Sequence, residues 1–217
     1  MHLKRSELPK EWPIPRKGTK YIKTFLQNKE KSIPLLIILR DVLKLVKTKR
    51  EAKKVCLNGE IKINGKVRKE IDFPVFLRDV ISIEKISKNY RLVLKNKKFQ
   101  LEEISEKETK EKIVKVIGKR LLKGKRIQAN LEDGTNILTN ENFSNGDSFI
   151  ISLPERKLLK IIPLKENSKV EIIKGKYKGM TAKIKDIELI GEKKMFKVKF
   201  DNGGEALLPK EVLLAIE

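Results

Sequence analysis

Residues 48 to 67 read TKREAKKVCLNGEIKINGKV. Thr48-Lys49-Arg50-Glu51 has the form of a capping box: the Thr48 hydroxyl can accept from the Glu51 amide, and the Glu51 carboxylate can reach back to the Thr48 amide. The box predicts a helix through Ala52, Val55 and Cys56, which Asn58-Gly59 is suited to stop. Ile61 and Ile63 then alternate with polar neighbours, and Asn64-Gly65 is a strong signal for a tight hairpin. A short helix feeding a β-hairpin is the expectation. The helix start carries Lys49, Arg50, Lys53 and Lys54. The helix dipole favours acids there, not bases. Cations kept beside amides that have no intrahelical acceptor point to a phosphate-binding surface rather than a merely solvated face.

Working outward, Leu35, Leu36, Leu39, Leu43 and Val46 form an apolar helical stripe with Arg40, Asp41, Lys44 and Lys47 opposite. Residues 80–83 read as a closing strand, so residues 33–86 are expected to form a compact α+β unit. Residues 87–163 read as mostly β, with strands at 91–94, 113–117, 127–131 and 149–153 and turns at Asp133-Gly134 and Asn145-Gly146. Ser105 to Glu108 is a second capping box, opening a short helix. Residues 164–217 read as a small barrel of strands at 170–173, 181–187, 196–200 and 205–208. Residues 1–32, with Pro9, Pro13 and Pro15, read as an extended basic arm that orders only on a partner. Within the arm, Lys4 and Arg5 are candidate phosphate ligands. Trp12 needs a surface to rest on, and RNA could supply one.

Composition narrows the partner. Lys and Arg number 51 against 29 acids, a net charge of +22 in 217 residues. Such an excess self-repels unless an anion neutralises it, and nucleic acid does so with release of counterions. The excess is spread over every segment rather than gathered in a tail. No stretch approaches the roughly 18 apolar residues of a spanning helix, and no signal-peptide core is present, so a membrane is not expected. One cysteine, Cys56, and one histidine, His2, exclude a Cys/His zinc site and an intrachain disulfide. No cofactor, metal, catalytic residue or small-molecule substrate is expected, and a reducing cytoplasmic setting fits. Aromatic residues make up 6%, so base stacking is not the main mode of contact.

Two further segments are basic. Residues 115–126, KVIGKRLLKGKR, hold six cations and no acid; Lys119, Arg120, Lys123, Lys125 and Arg126 are candidate RNA ligands on a hairpin. Residues 169–187, KVEIIKGKYKGMTAKIKDI, place Gly175 and Gly179 in a loop between alternating strands. There the glycines permit close backbone approach, and Lys174, Lys176 and Lys178 supply charge.

The residues quoted carry a family resemblance. Thr48-Lys49-Arg50, Ala52-Lys53-Lys54, Gly59 and Ile61-Lys62-Ile63-Asn64-Gly65 resemble the S-four RNA-binding domain, a module of two helices feeding a small sheet. That resemblance implies RNA contact by Lys49, Arg50 and Lys53, with Lys66 and Arg68 near the hairpin. Arg78-Asp79 stands where the family pattern has Gly-Asp. Residues 169–187 resemble the KOW motif, with Gly179 at its characteristic glycine, which implies an SH3-like barrel. His2-Leu3-Lys4-Arg5, Pro9, Trp12, Pro34-Leu35, Leu39-Arg40-Asp41, Arg50-Glu51-Ala52-Lys53, Phe73-Pro74 and residues 79–83 occur in one order along the chain. That order resembles the S-four-e family of archaeal and eukaryotic small-subunit ribosomal proteins. The resemblance implies an α+β multidomain chain: arm 1–32, S-four-type domain 33–86, central β domain 87–163 and KOW barrel 164–217. It implies a non-enzymatic ribosomal constituent whose partners are small-subunit rRNA and neighbouring ribosomal proteins. The alternatives are a free RNA-binding regulator or KOW-type factor, and an RNA-modifying enzyme of the pseudouridine synthase kind. Such an enzyme needs an Arg-Leu-Asp signature, whereas Arg91-Leu92-Val93 and Arg120-Leu121-Leu122 lack its Asp.

Overall fold

Buried apolar residues alternate along strands such as Ile61–Ile63 and residues 181–184 and run consecutively in others, and the strands sort into two units, Met1–Lys110 and Glu111–Glu217. The computed structural model describes residues 2–25, 31–123, 126–191 and 193–216. The architecture is mostly β, with a few short helical segments.

In the first unit, β1 (His2–Lys4) pairs with β2 (Tyr21–Lys23), and β3 (Ser32–Pro34) leads into α1 (Leu35–Ile37). The chain continues through a π-helical turn at Ile38–Val42 to α2 (Lys49–Leu57). The strands β4 (Ile61–Ile63), β5 (Lys66–Val67), β6 (Pro74–Phe76), β7 (Val80–Ile83), β8 (Lys88–Lys95) and β9 (Lys98–Glu103) follow. Five of them form an antiparallel sheet ordered β5-β4-β7-β8-β9, while β6 pairs with β3. Ile61 sits opposite Ile83 and Ile63 opposite Ile81, and all four are buried. The Asn64-Gly65 turn takes positive φ at both residues, as a twisted two-residue hairpin requires. Asn64 is also tied to β7. Its amide nitrogen donates to Asp79 Oδ1 at 2.8 Å, and its side-chain oxygen accepts from the Val80 amide at 2.9 Å. Arg78 adopts φ +66°, which explains why the related pattern favours glycine there.

Three expectations change here. Residues 35–39 are all buried, so this segment is enclosed on every side rather than striped. It ends at Lys44, which turns to φ +54°, before the expected stripe reaches Val46. The sheet does not stop at residue 86: Val80–Ile83 would leave an edge of unpaired backbone, β8 covers it, and β9 extends the same sheet to Glu103. The third change concerns the arm, which is packed rather than extended. Leu3 and Ile22 face each other across the β1–β2 pair, and both are buried with Leu8, Trp12 and Phe25 in the same core as Ile33 and Leu94. Trp12 is 2% exposed, and its indole nitrogen donates to the Ser32 carbonyl at 3.0 Å. The loop between the two strands closes on Arg5. Its guanidinium donates to the carbonyls of Thr19 (2.8 Å) and Pro15 (2.7 Å) and to Thr19 Oγ1 (2.9 Å).

In the second unit, β10 (Glu111–Leu121), β11 (Ile127–Leu131), β12 (Asn136–Thr139), β13 (Ser148–Ser152) and β14 (Leu158–Ile162) form a sheet ordered β12-β11-β10-β13-β14. A bulge between Val116 and Gly118 marks where β10 passes from pairing with β13 to pairing with β11. A nearly fully buried ion pair, Lys112 to Asp133 at 2.8 Å, ties β10 to the turn between β11 and β12. Burial pushes the Asp133 carboxyl up, but the Lys112 ammonium and the Thr135 hydrogen bonds outweigh it and hold the group below its ordinary value. The strands β15 (Lys169–Ile172), β16 (Thr181–Ile190), β17 (Lys193–Phe200), β18 (Glu205–Pro209) and β19 (Leu213–Ala215) form a second antiparallel sheet, ordered β18-β17-β16-β15-β19. Buried Lys115 links the two sheets by donating to the carbonyls of Lys210 and Leu213, each at 2.6 Å. The second expected capping box forms only in part. The Glu108 carboxylate accepts from the Ser105 amide, and a single 3-10 turn, Glu108–Lys110, follows.

Because Trp12 fills the first core and spends its N–H on Ser32, Trp12→Ala should destabilise the first unit by about 3–5 kcal/mol. Urea unfolding followed by far-UV circular dichroism measures this. A loss below about 1 kcal/mol would return Trp12 to the surface.

Candidate nucleic-acid interface

Helix α2 starts as the capping box predicts. Thr48 is extended, its hydroxyl accepts from the Glu51 amide at 3.2 Å, and the Glu51 carboxylate accepts the amides of Lys47 (2.8 Å) and Thr48 (3.3 Å). Those two backbone amides hold the Glu51 carboxyl below its ordinary value. Ala52 and Cys56, four residues apart, anchor the helix to the core. Burial raises the Cys56 thiol to about 11, so it stays protonated and serves as a small apolar side chain. Lys49, Arg50, Lys53 and Lys54 are exposed.

Lys49, Arg50 and Lys53 line one open groove of about 520 Å³. Lys23 of β2 and Lys69 also line it, so five cations share one concavity with Glu70 and Asp72. No local sequence motif marks Lys23 or Lys69. Lys69 extends the basic run Lys66, Arg68, which was a usable signal; Lys23 was one basic residue among many in the arm. Its five cations bring together lysine and arginine N–H donors, the groups by which proteins hold anions.

The remaining candidates divide. Lys4 and Lys66 are exposed. Trp12 is interior with the apolar core as its partner, so it is not placed for RNA; Arg5 is half-buried and closes its loop through backbone carbonyls. A side chain at Gly18 would place its Cβ 3.0 Å from the Arg5 guanidinium carbon, which shows how closely that loop wraps it. Arg68 stacks on Phe73, 4.2 Å from the ring centroid, and is half-buried. Lys119 lies over Phe143 and donates to its carbonyl at 3.2 Å. Arg120, Lys123 and Arg126 are exposed on the same hairpin; Lys125 lies outside the described residues. Lys174, Gly175 and Lys176 are exposed, with Lys178 and Gly179 half-buried. Gly175 (φ +85°) faces open space, so it is needed for its backbone angle rather than for room. Gly179 (φ +82°) donates its amide to Ile172 at 2.7 Å and closes the turn. The groove gathers three of the candidates; the 119–126 and 174–179 clusters belong to the second unit.

Among the described residues no group of three or more His, Cys, Asp or Glu side chains could hold a metal ion. Among the same residues no helix is long and apolar enough to cross a membrane.

Comparison with known proteins gives a consistent picture. Residues 33–81 match the S4 domain, and residues 86–158 match a family described as Ribosomal family S4e. The small ribosomal subunit protein eS4 of Methanocella arvoryzae is 36% identical over 193 residues, covering 87% of this chain and 82% of the relative. That of Methanosphaera stadtmanae is 38% identical over 192 residues, covering 87% and 80%. The crystal structure of the 30S ribosomal protein S4e from Thermoplasma acidophilum superposes with a TM-score of 0.73 at 31% identity, covering 87% of this chain and 96% of that one.

The capping geometry sets a pH dependence. Glu51 holds its proton less readily when folded, so its contribution is complete above 4.5 and is lost as pH falls through the lower, folded value. An NMR titration of the Glu51 carboxyl carbon should give a midpoint below 4.5. Glu51→Gln should flatten the acid limb of the stability curve in that range.

Proposed function

Because the chain belongs to Ribosomal family S4e, we propose that it binds small-subunit ribosomal RNA through the groove at the start of α2 and so supports subunit assembly and translation. The protein is a structural constituent rather than an enzyme. One observation carries the groove reading: three cations placed by a helix start, Lys49, Arg50 and Lys53, share a concavity with Lys23 and Lys69 from other segments. The five come from three segments well separated in the sequence, so the fold and not the local run of charge brings them together.

The proposal extends to the rest of the chain. Lys4, Lys66, Arg120, Lys123, Arg126, Lys174, Lys176 and Lys178 are phosphate ligands, and Gly175 and Gly179 allow the RNA backbone near. Lys125 belongs with its neighbours by sequence. Arg68 and Lys119 reach RNA only with charge not already engaged by Phe73 and Phe143. Residues 33–86 carry the S-four-type interface and residues 164–217 a KOW barrel; the antiparallel order of β15 to β19 and the glycine turn support the latter. The partners are rRNA and neighbouring ribosomal proteins, and the place of action is the cytoplasmic ribosome.

Filter binding to a small-subunit rRNA transcript tests the groove. Lys49→Ala, Arg50→Ala and Lys53→Ala together should weaken binding by several kcal/mol at low salt, at about 1 kcal/mol per phosphate contact, and reduce the salt slope by about two to three. Fold stability should change little, since alanine is a good helix former. The control replaces three exposed lysines elsewhere in the same unit: Lys85, Lys98 and Lys107. Equal losses in the two triple variants would mean that the groove adds only to the overall field.

A further inference from the structure

One acid in the groove makes a defined contact with one of its cations. Lys23 Nζ lies 2.6 Å from Asp72 Oδ2, with side-chain exposures of 25% and 31%. Lys23 arrives on β2 of the N-terminal hairpin, and Asp72 comes from the segment between β5 and β6. The second oxygen, Asp72 Oδ1, is buried and has no hydrogen-bond partner. A carboxylate in a groove meant for phosphate opposes the ligand by like-charge repulsion. Its presence therefore calls for a role other than attraction. A lysine ammonium has three N–H donors, and the bond to Asp72 uses one, which leaves two for a ligand.

Resting on the reading of this groove as the RNA site, we propose that Lys23 is a further RNA ligand and that Asp72 is a positioning residue holding its ammonium in the groove. The salt bridge fixes a long side chain that would otherwise sample many rotamers. The pair carries no net charge, so it adds little to the long-range attraction felt by any RNA. It adds instead a donor at a fixed place, which distinguishes a backbone that fits the groove from one that does not. The S-four-type surface is then composite, completed by a residue from outside residues 33–81.

Charge alone and positioning predict opposite signs. Full-length protein is compared with Lys23→Ala, Asp72→Asn, the double variant and Asp72→Glu. Filter binding is measured to a small-subunit rRNA transcript and to poly(U) at one salt concentration. Asp72→Asn should bind poly(U) about threefold more tightly, because a negative charge has gone, and rRNA about threefold more weakly, because Lys23 is released. In the Lys23→Ala background, Asp72→Asn should weaken rRNA binding no further. Asp72→Glu, which keeps the carboxylate, should preserve most of the preference for rRNA. Thermal unfolding of each variant separates lost folding from lost binding, and Lys23→Ala tests the pair even if Asp72→Asn proves unstable. Tighter binding of both RNAs by Asp72→Asn, no change with either, or additive losses on rRNA would overturn the assignment. If Lys49→Ala, Arg50→Ala and Lys53→Ala together also leave rRNA binding intact, the groove reading itself fails; if that triple variant loses binding, only the pair is refuted.

Discussion

Glu51 accepts the amides of Lys47 and Thr48 at a helix end that otherwise presents only positive groups. Lys49, Arg50 and Lys53 sit against the positive pole of the helix, which opposes them. The Glu51 carboxylate offsets part of that repulsion and, with Thr48, sets the residue at which the helix begins. The starting point matters because each residue rotates a helix by about 100°. With α2 beginning at Lys49, Ala52 and Cys56 meet the core and the cations reach the groove. A start displaced by one residue would bury a lysine or expose the anchor.

The same economy governs the rest of the positive charge. A net +22 is not a uniform adhesive surface. Arg5 closes a loop, Arg68 and Lys119 lie on phenylalanine rings, Lys112 neutralises Asp133, and Lys115 ties two sheets through carbonyl groups. Long basic side chains suit this work because their aliphatic stems pack while their heads find oxygen. Among the described residues, exposed cations include Lys49, Arg50 and Lys53 at the start of α2, Arg120, Lys123 and Arg126 in the second unit, and Lys174 and Lys176 on either side of Gly175.

The N-terminal hairpin joins these two themes. Its apolar residues Leu3, Trp12 and Ile22 complete the first core, and in doing so they place Lys23 beside Asp72. Packing thus carries a basic residue from one end of the sequence to the site built by another segment.

The sequence by itself determined the features whose hydrogen bonds close within a few residues. These are the Thr48–Glu51 box, the Asn64-Gly65 turn, the stop at Asn58-Gly59 and the turns at Gly134 and Gly146. The family was legible too, because its motifs occur in a fixed order. What a chain pattern does not contain is the partner of a side chain many residues away. Trp12 in an apparently frayed arm, Lys23 in the groove, β8 on the edge of β7 and Lys115 under the second sheet all depend on such partners. Only the tertiary structure decided whether each was core, ligand or link. Local backbone geometry is set by neighbouring residues, but burial is settled by what the rest of the chain brings alongside.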